Sequence, residues 1–175
     1  MTRREADSPR PARAGADGTF TGHASLFGAV DLGNDVMERG AFAASLARRG
    51  PKAIRMLYQH DPAEPIGRWL EIREDDRGLF VRGMLAPGVA RAREVLELMR
   101  AGALDGLSVG FRTVRSRRTG GVRRILEADL WEISIVTFPM LPGARVESVK
   151  AYRPRTDLPE AILRAASVFQ QEKRP

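Results

Sequence analysis

Residues 66–85 constrain the fold most strongly: IGRWLEIRE and GLFVRGML each alternate apolar with polar positions, and DDRG lies between them. Alternation is the period of a strand with one buried face, and an Asp/Gly-rich break of this length is a hairpin turn. TFTGHASLFG alternates in the same way, with Phe20, Gly22, Ala24 and Leu26 on one side, and predicts a first strand. IRMLYQH sets Ile54, Met56 and Tyr58 on one face and ends at His60; DPAEP, with two prolines, is expected to leave the strand. LSVGFRTVRS, then VRRILEADLWEISIVTF after a turn at RRTGG, supply two or three more strands, and ARVESVKAY a short closing one. Helical signals are few. ERGAFAASLARRG is closed by Gly50, and VARAREVLELMRAG by Gly102, with Val89, Ala92, Leu96 and Met99 along one side. DLPEAILRAASVFQQEK predicts a last helix, capped at Asp157 with Glu160 three residues on. DLGNDVM reads as a loop. Without a regular βαβ alternation a doubly wound sheet is disfavoured, so the expectation is a mainly β chain with a few helices (α+β), forming a closed or nearly closed antiparallel barrel.

Three parts are expected: an Arg/Pro-rich, disordered arm over residues 1–18, one domain over 19–150, and a helical tail over 151–175. The arm has no apolar stretch of the kind a secretory signal needs. No cysteine is present, which excludes disulfides, thiolate metal sites and a cysteine nucleophile, and with only His23 and His60 a histidine-rich metal centre is not expected either. No run of eighteen apolar residues occurs, so no membrane partner is expected. The net charge of +7 raises nucleic acid as a partner. The arginines are, however, scattered over helices, loops and tails rather than gathered on one element.

Gly106-Leu107-Ser108-Val109-Gly110 spells G-x-S-x-G, the nucleophile elbow of α/β-hydrolases. The context is inverted: Ser108 follows a helix and a turn and then enters a strand, whereas the elbow runs from strand to helix. In a strand, Leu107, Val109 and Phe111 share one face, and Ser108 and Gly110 share the other, with open space around the hydroxyl. A serine becomes nucleophilic at neutral pH when a base is adjacent, and His60 is the available histidine. Each residue also has a structural reading: Ser108 as an ordinary strand residue, His60 as a turn residue bonded to local backbone. Asp61 could orient the histidine, but neighbouring strand residues point to opposite faces. Glu132, among Leu130, Ser134 and Val136, must stand at a rim or have a buried partner, since an unpaired buried charge is costly. His23 lies opposite the apolar side of the first strand, is expected to be exposed, and is a rival third member.

Taken together, GHASLFGAVDLGNDVMERGAFAASL, MLYQHDPAEPIGRW, AGALDGLSVGF and LWEISIVTFPMLPGARV resemble, in order and spacing, the tailed-phage prohead serine protease family. The resemblance runs from about Phe20 to Lys150, and phage-derived gene transfer particles carry related proteins. It implies a barrel of the herpesvirus maturation protease type and a serine endopeptidase without cofactor. The substrates it implies are scaffold, or the scaffold-like N-terminal segment of the major capsid protein, and the enzyme itself. The place implied is the assembling procapsid in the cytoplasm of a bacterial host. Carried over by motif, Ser108 is the nucleophile, His60 the general base and Glu132 the third, histidine-orienting member; herpesvirus relatives use a second histidine there. His23 departs from the family, which commonly has an aromatic at that point. Backbone N–H groups at 106–109 and the paired arginines of GVRRILE are the candidates for holding the oxyanion. Dimerisation, as in herpesvirus relatives, is a further implication.

Two rivals remain at this level. An inactive assembly or scaffold protein would keep the barrel without chemistry, although joint retention of Ser108, His60 and Glu132 speaks against it. A basic nucleic-acid-binding domain would show affinity that falls steeply with salt; inside a capsid, such binding would be incidental to proteolysis.

Overall fold

The structure, a computed structural model, describes residues 18–149; most of the expected arm and all of the C-terminal helix lie outside the described residues. The central hairpin forms as its alternation requires. β4 (Asp61–Glu74) and β5 (Gly78–Leu85) pair antiparallel across the turn at Asp75–Arg77, and β5 pairs in turn with β1 (Thr19–Leu26). β8 (Val146–Val149) covers the other edge of β1. On the far side, β4 pairs with β3 (Arg55–Tyr58), and β3 with β7 (Val122–Val136).

β7 is the spine of the molecule. Along one edge it carries β2 (Asp35–Met37) and β3, both parallel to it; along the other runs β6 (Gly106–Thr119), antiparallel over nearly its whole length. The resulting sheet has the order β2-β7-β3-β4-β5-β1-β8, with β6 on β7. The chain is mainly β with a few helices, as expected, but its sheet departs from the expected closed antiparallel barrel in two respects. Two of the pairings are parallel, and the ladder stays open between β8 and β6. That seam is crossed by one isolated bridge, Gly106 to Arg145, and by backbone bonds from Leu107 N–H to Ala144 O (2.9 Å) and from Val146 N–H to Asp105 O (2.8 Å).

Three local expectations also change. β4 begins at Asp61 and runs through Pro62 and Pro65, because β3 and β4 slip register twice here and a missing N–H interrupts no regular ladder bond. The supposed loop DLGNDVM contains β2, whose partner is the distant β7. VRRILEADLWEISIV is one strand rather than two. Helix α2 (Ala90–Arg100) packs Ala92, Val95 and Met99 inward with Leu96 half-buried beside them, while Val89, expected on the same side, precedes the helix and is exposed. Helix α1 (Ala43–Arg49) is shorter than expected and is held at both ends. The Glu74 carboxylate accepts the N–H groups of Gly40 (3.0 Å) and Phe42 (2.8 Å) at its start, where negative charge is favourable. At its end Arg48 and Arg49 both reach Asp129 of β7.

The core lies beneath the sheet and is tightly built. Phe20 and Trp69 meet edge to face at 5.7 Å, and Gly83 leaves the room they and Met56 need: a Cβ there would stand 2.6 Å from Met56 Cε and from Phe20 Cζ. Among the described residues no helix is long and apolar enough to cross a membrane.

Candidate active site

The register of β6 on β7 fixes the site. Ser108 opposes Ser134 and Gly110 opposes Glu132, so these four residues share one face of the two-stranded ribbon. Gly110 is required by what stands over it. A Cβ at this position would fall within the van der Waals radius of Glu132 Oε1, so the carboxylate occupies the space that any side chain would fill. The second glycine of G-x-S-x-G therefore serves the carboxylate rather than a nucleophile elbow.

His60 arrives from the turn between β3 and β4. Gln59 and His60 both have positive φ (54° and 61°), a costly conformation for side-chain-bearing residues that two-residue hairpins demand. Four hydrogen bonds to the end of β7 hold it. Gln59 N–H donates to Ile135 O (3.0 Å), Gln59 Nε2 to Thr137 Oγ1 (2.7 Å), and Thr137 N–H to Gln59 Oε1 (3.4 Å). His60 N–H donates to Ser134 Oγ (3.1 Å). Ser134, which the sequence reading did not single out, in turn donates to Glu132 Oε2 at 2.7 Å.

The other carboxylate oxygen, Glu132 Oε1, lies 2.6 Å from His60 Nδ1. Glu132 is buried and the imidazole half-exposed. The hydrogen bond to Glu132 raises the His60 pKa above its ordinary 6.5; partial burial opposes this, and the carboxylate charge adds to it. With its proton on Nδ1, a neutral His60 leaves Nε2 as a free acceptor. Direct bonding thus joins His60 to Glu132. Ser108 shares their face, is 5% exposed, and its hydroxyl makes no hydrogen bond to His60. His60, Glu132 and Gly110 line an open cleft of about 750 Å³, while Ser108 lines a smaller neighbouring recess of about 260 Å³ with Ser25, Val109 and Met140.

The remaining candidates are placed elsewhere. His23 is buried, not exposed, at 4%. Its Nε2 lies 3.0 Å from Asp75 Oδ2 and its Nδ1 3.0 Å from Glu147 Oε1, because β8 and the β4–β5 turn cover the face that local alternation assigns to solvent. Asp61 does not orient His60; its Oδ1 accepts the Ala63 N–H at 2.8 Å. Of the paired arginines, Arg123 is committed to Asp35 and Arg124 to Glu38. The Leu107 N–H is taken by Ala144 O, which removes one donor from the 106–109 segment. Among the described residues no cluster of His, Asp and Glu could hold a metal ion.

Comparison with known proteins places this geometry in context. A family model described as caudovirus prohead serine protease matches residues 5–156. The prohead protease of Enterobacteria phage HK97 is 36% identical over 142 residues, which cover 78% of this chain and 62% of that protein. A capsid polyprotein of Pseudomonas phage PAJU2 is 32% identical over 106 residues, 56% of this chain and 16% of the polyprotein. The chain thus spans less than two thirds of the length of either relative. In fold it is similar to the bacteriophage T4 capsid assembly protease (TM-score 0.57, 14% identity, 67% of this chain and 80% of that one). It is also similar to the KSHV protease solved with a hexapeptide phosphonate inhibitor (TM-score 0.50, 14% identity, 73% and 63%).

Proposed function

The chain belongs to the caudovirus prohead serine protease family, and from that membership and the geometry of the site we propose that it is a serine endopeptidase with Ser108 as nucleophile, His60 as general base and Glu132 as the group that orients the base. The observation that carries this reading is the 2.6 Å bond from Glu132 Oε1 to His60 Nδ1, on the sheet face that also bears Ser108. It fixes the tautomer in which Nε2 accepts a proton, as a serine triad requires.

In the proposed cycle His60 Nε2 removes the Ser108 hydroxyl proton as Oγ adds to the scissile carbonyl. The imidazolium, stabilised by Glu132, then protonates the leaving amine, and water releases the acyl group by the same steps in reverse order. The Ser108 hydroxyl must rotate toward the imidazole for this; apo sites of this kind commonly tighten only around substrate. Ser134 bonds both the His60 backbone and Glu132, and so keeps the base and its partner in one frame.

The substrates in this reading are scaffold or the N-terminal segment of the major capsid protein, together with the enzyme itself, inside the assembling procapsid of a bacterial host. A capsid polyprotein that includes a stretch similar to this chain supports that pairing. The single bridge from Gly106 to Arg145 supports reading the sheet as a barrel of the herpesvirus-protease type with its seam at β6 and β8. Most arginines of the described domain are paired with carboxylates, which weighs against a phosphate-binding surface.

Co-expression with the cognate major capsid protein, read by intact-mass spectrometry, tests the proposal. Loss of a defined N-terminal segment with wild type, and not with Ser108→Ala, is the expected result. Unchanged mass with both proteins while shells still assemble would leave the chain an assembly factor.

A further inference from the structure

Beside the His60 cleft lies a second hollow of about 530 Å³, and Arg55 lines both. Its floor is apolar, formed by Ile54, Met56, Trp69 and Leu70, and its rim carries Lys52, Arg55 and Arg68. All three cations are exposed, and among the described residues none has a carboxylate partner. Arg55 Nη1 donates to Lys52 O at 3.3 Å, and Arg68 Nη2 rests 3.8 Å from Met84 Sδ. Most other arginines of the described domain, Arg39, Arg73, Arg91 and Arg145 among them, are paired with an acid; Arg93 on α2 and Arg117 and Arg118 on β6 are not, and none of these three lines the hollow. Cations left without acids around an apolar floor, beside the His60 cleft with which the hollow shares Arg55, form a surface complementary to a ligand that is both acidic and apolar.

We infer that this groove is an extended substrate-binding site that recognises acidic residues interspersed with apolar ones in the peptide lying across His60. The inference rests on the serine endopeptidase reading. Arg55, at the junction of the two hollows, meets the residues nearest the scissile bond. Lys52 and Arg68 meet those further along, and the floor of Ile54, Met56 and Leu70 receives the apolar side chains between. A nucleic acid fits the hollow less well: stacking needs an open aromatic face, and the hollow's own aromatic, Trp69, is buried at 3% exposure with its Nε1 bonded to Arg55 O at 3.3 Å, the open Trp131 lining the His60 cleft instead.

The test uses the full chain carrying Ser108→Ala, so that binding is read without turnover. Two fluorescein-labelled peptides, one of alternating Glu and Leu and one of alternating Lys and Leu, are titrated by anisotropy. The acidic peptide is expected to bind at least about tenfold tighter, with affinity falling as salt rises. Lys52→Glu with Arg68→Glu should abolish the preference, whereas Arg117→Glu with Arg118→Glu, at the exposed tip of the β6–β7 hairpin, should leave it intact. If circular dichroism shows the reversed pair to be unfolded, Lys52→Gln with Arg68→Gln should still weaken acidic-peptide binding about threefold. Equal binding of both peptides, or a preference that survives the substitutions, overturns the inference. So does displacement by oligothymidylate at matching affinity, which would assign the groove to nucleic acid. Fluorophosphonate labelling of the wild-type chain separates the two claims. Labelling at Ser108 without acidic-peptide preference leaves the protease and removes the groove's role. Preference without labelling leaves an acidic-peptide site and removes the protease reading.

Discussion

Among the residues of the site, one carboxylate governs the rest. Glu132 is buried, bonded through Oε2 to Ser134 and through Oε1 to His60, and it stands in the space above Gly110. Its bond and charge raise the His60 pKa, so in the proposed mechanism His60 becomes neutral, and able to act as the base, only as pH rises above the ordinary 6.5. The wild-type rate is therefore expected to rise with pH along a limb centred above 6.5. Glu132→Gln should move that limb to lower pH and lower kcat by roughly a thousandfold, since the amide neither stabilises the imidazolium nor enforces the tautomer. A pH–rate profile in which the limb stays put would remove Glu132 from the role assigned to it. Gly110→Ala makes a sharper test because it touches no functional group. The new methyl must displace the carboxylate, so kcat/KM should fall about a hundredfold. His60, followed by NMR titration, should return toward its ordinary pKa. Ser108, His60 and Glu132 stand out in the sequence as candidates, each a reactive group at a strand end or in an apolar run, and the structure brings His60 and Glu132 into direct contact. Ser134 does not stand out, because a small hydroxyl among Ile133, Ile135 and Val136 looks like any strand residue until its partners are placed.

The element that matters most is the β3–β4 turn, where two residues in left-handed backbone are clamped by the Gln59 side chain onto Thr137, the residue that follows β7. Gln59→Gly relieves the positive φ while removing both side-chain bonds to Thr137. Stability should therefore change by less than about 1 kcal/mol, while kcat falls about tenfold as His60 loses its position. Equal loss of melting temperature and rate would show the turn to be structural only. Local pattern served well where an element answers to its immediate neighbours: the β4–β5 hairpin, α2 and the β6–β7 turn all lie where alternation, periodicity and glycines put them. It failed where the partner is far away in the chain. β2 is three residues long and exists because β7 offers an edge at Arg123–Ile125. Pro62 and Pro65 belong to a strand because their partner strand is irregular there. His23 is buried because β8 returns from the far end of the domain to cover it.

Over the described domain, two acids held in their charged form, Asp129 buried and Asp75 half-buried, set the response to low pH. The hydrogen bond and charge of Arg49, aided by Arg48 against the effect of burial, hold Asp129 down at about 2. At Asp75 burial pushes upward, but the Arg77 and Gly78 N–H groups and the His23 ring prevail and hold it at about 2 as well. A depressed carboxylate stabilises the fold at pH above its unfolded value, near 3.8, and that contribution is lost as pH falls toward 2. His60 works in the other direction: its raised pKa favours the fold below 6.5, and this is lost as pH rises through the folded value. Melting temperature is thus expected to be highest between about pH 4 and 6.5 and to drop steeply on the acid side. Asp129→Asn should lower the plateau and flatten the drop, as scanning calorimetry across that range would show. The parallel pairing of β3 with β7 has one more consequence, which concerns time. His60 and Glu132 are 72 residues apart in the chain, and contacts of such long range form late in folding and cannot form at all on a ribosome before the later strand is made. In the proposed reading, proteolytic competence therefore arrives only once β7 is in place, and a nascent chain that stops short of it carries Ser108 and His60 without the carboxylate that orients the base.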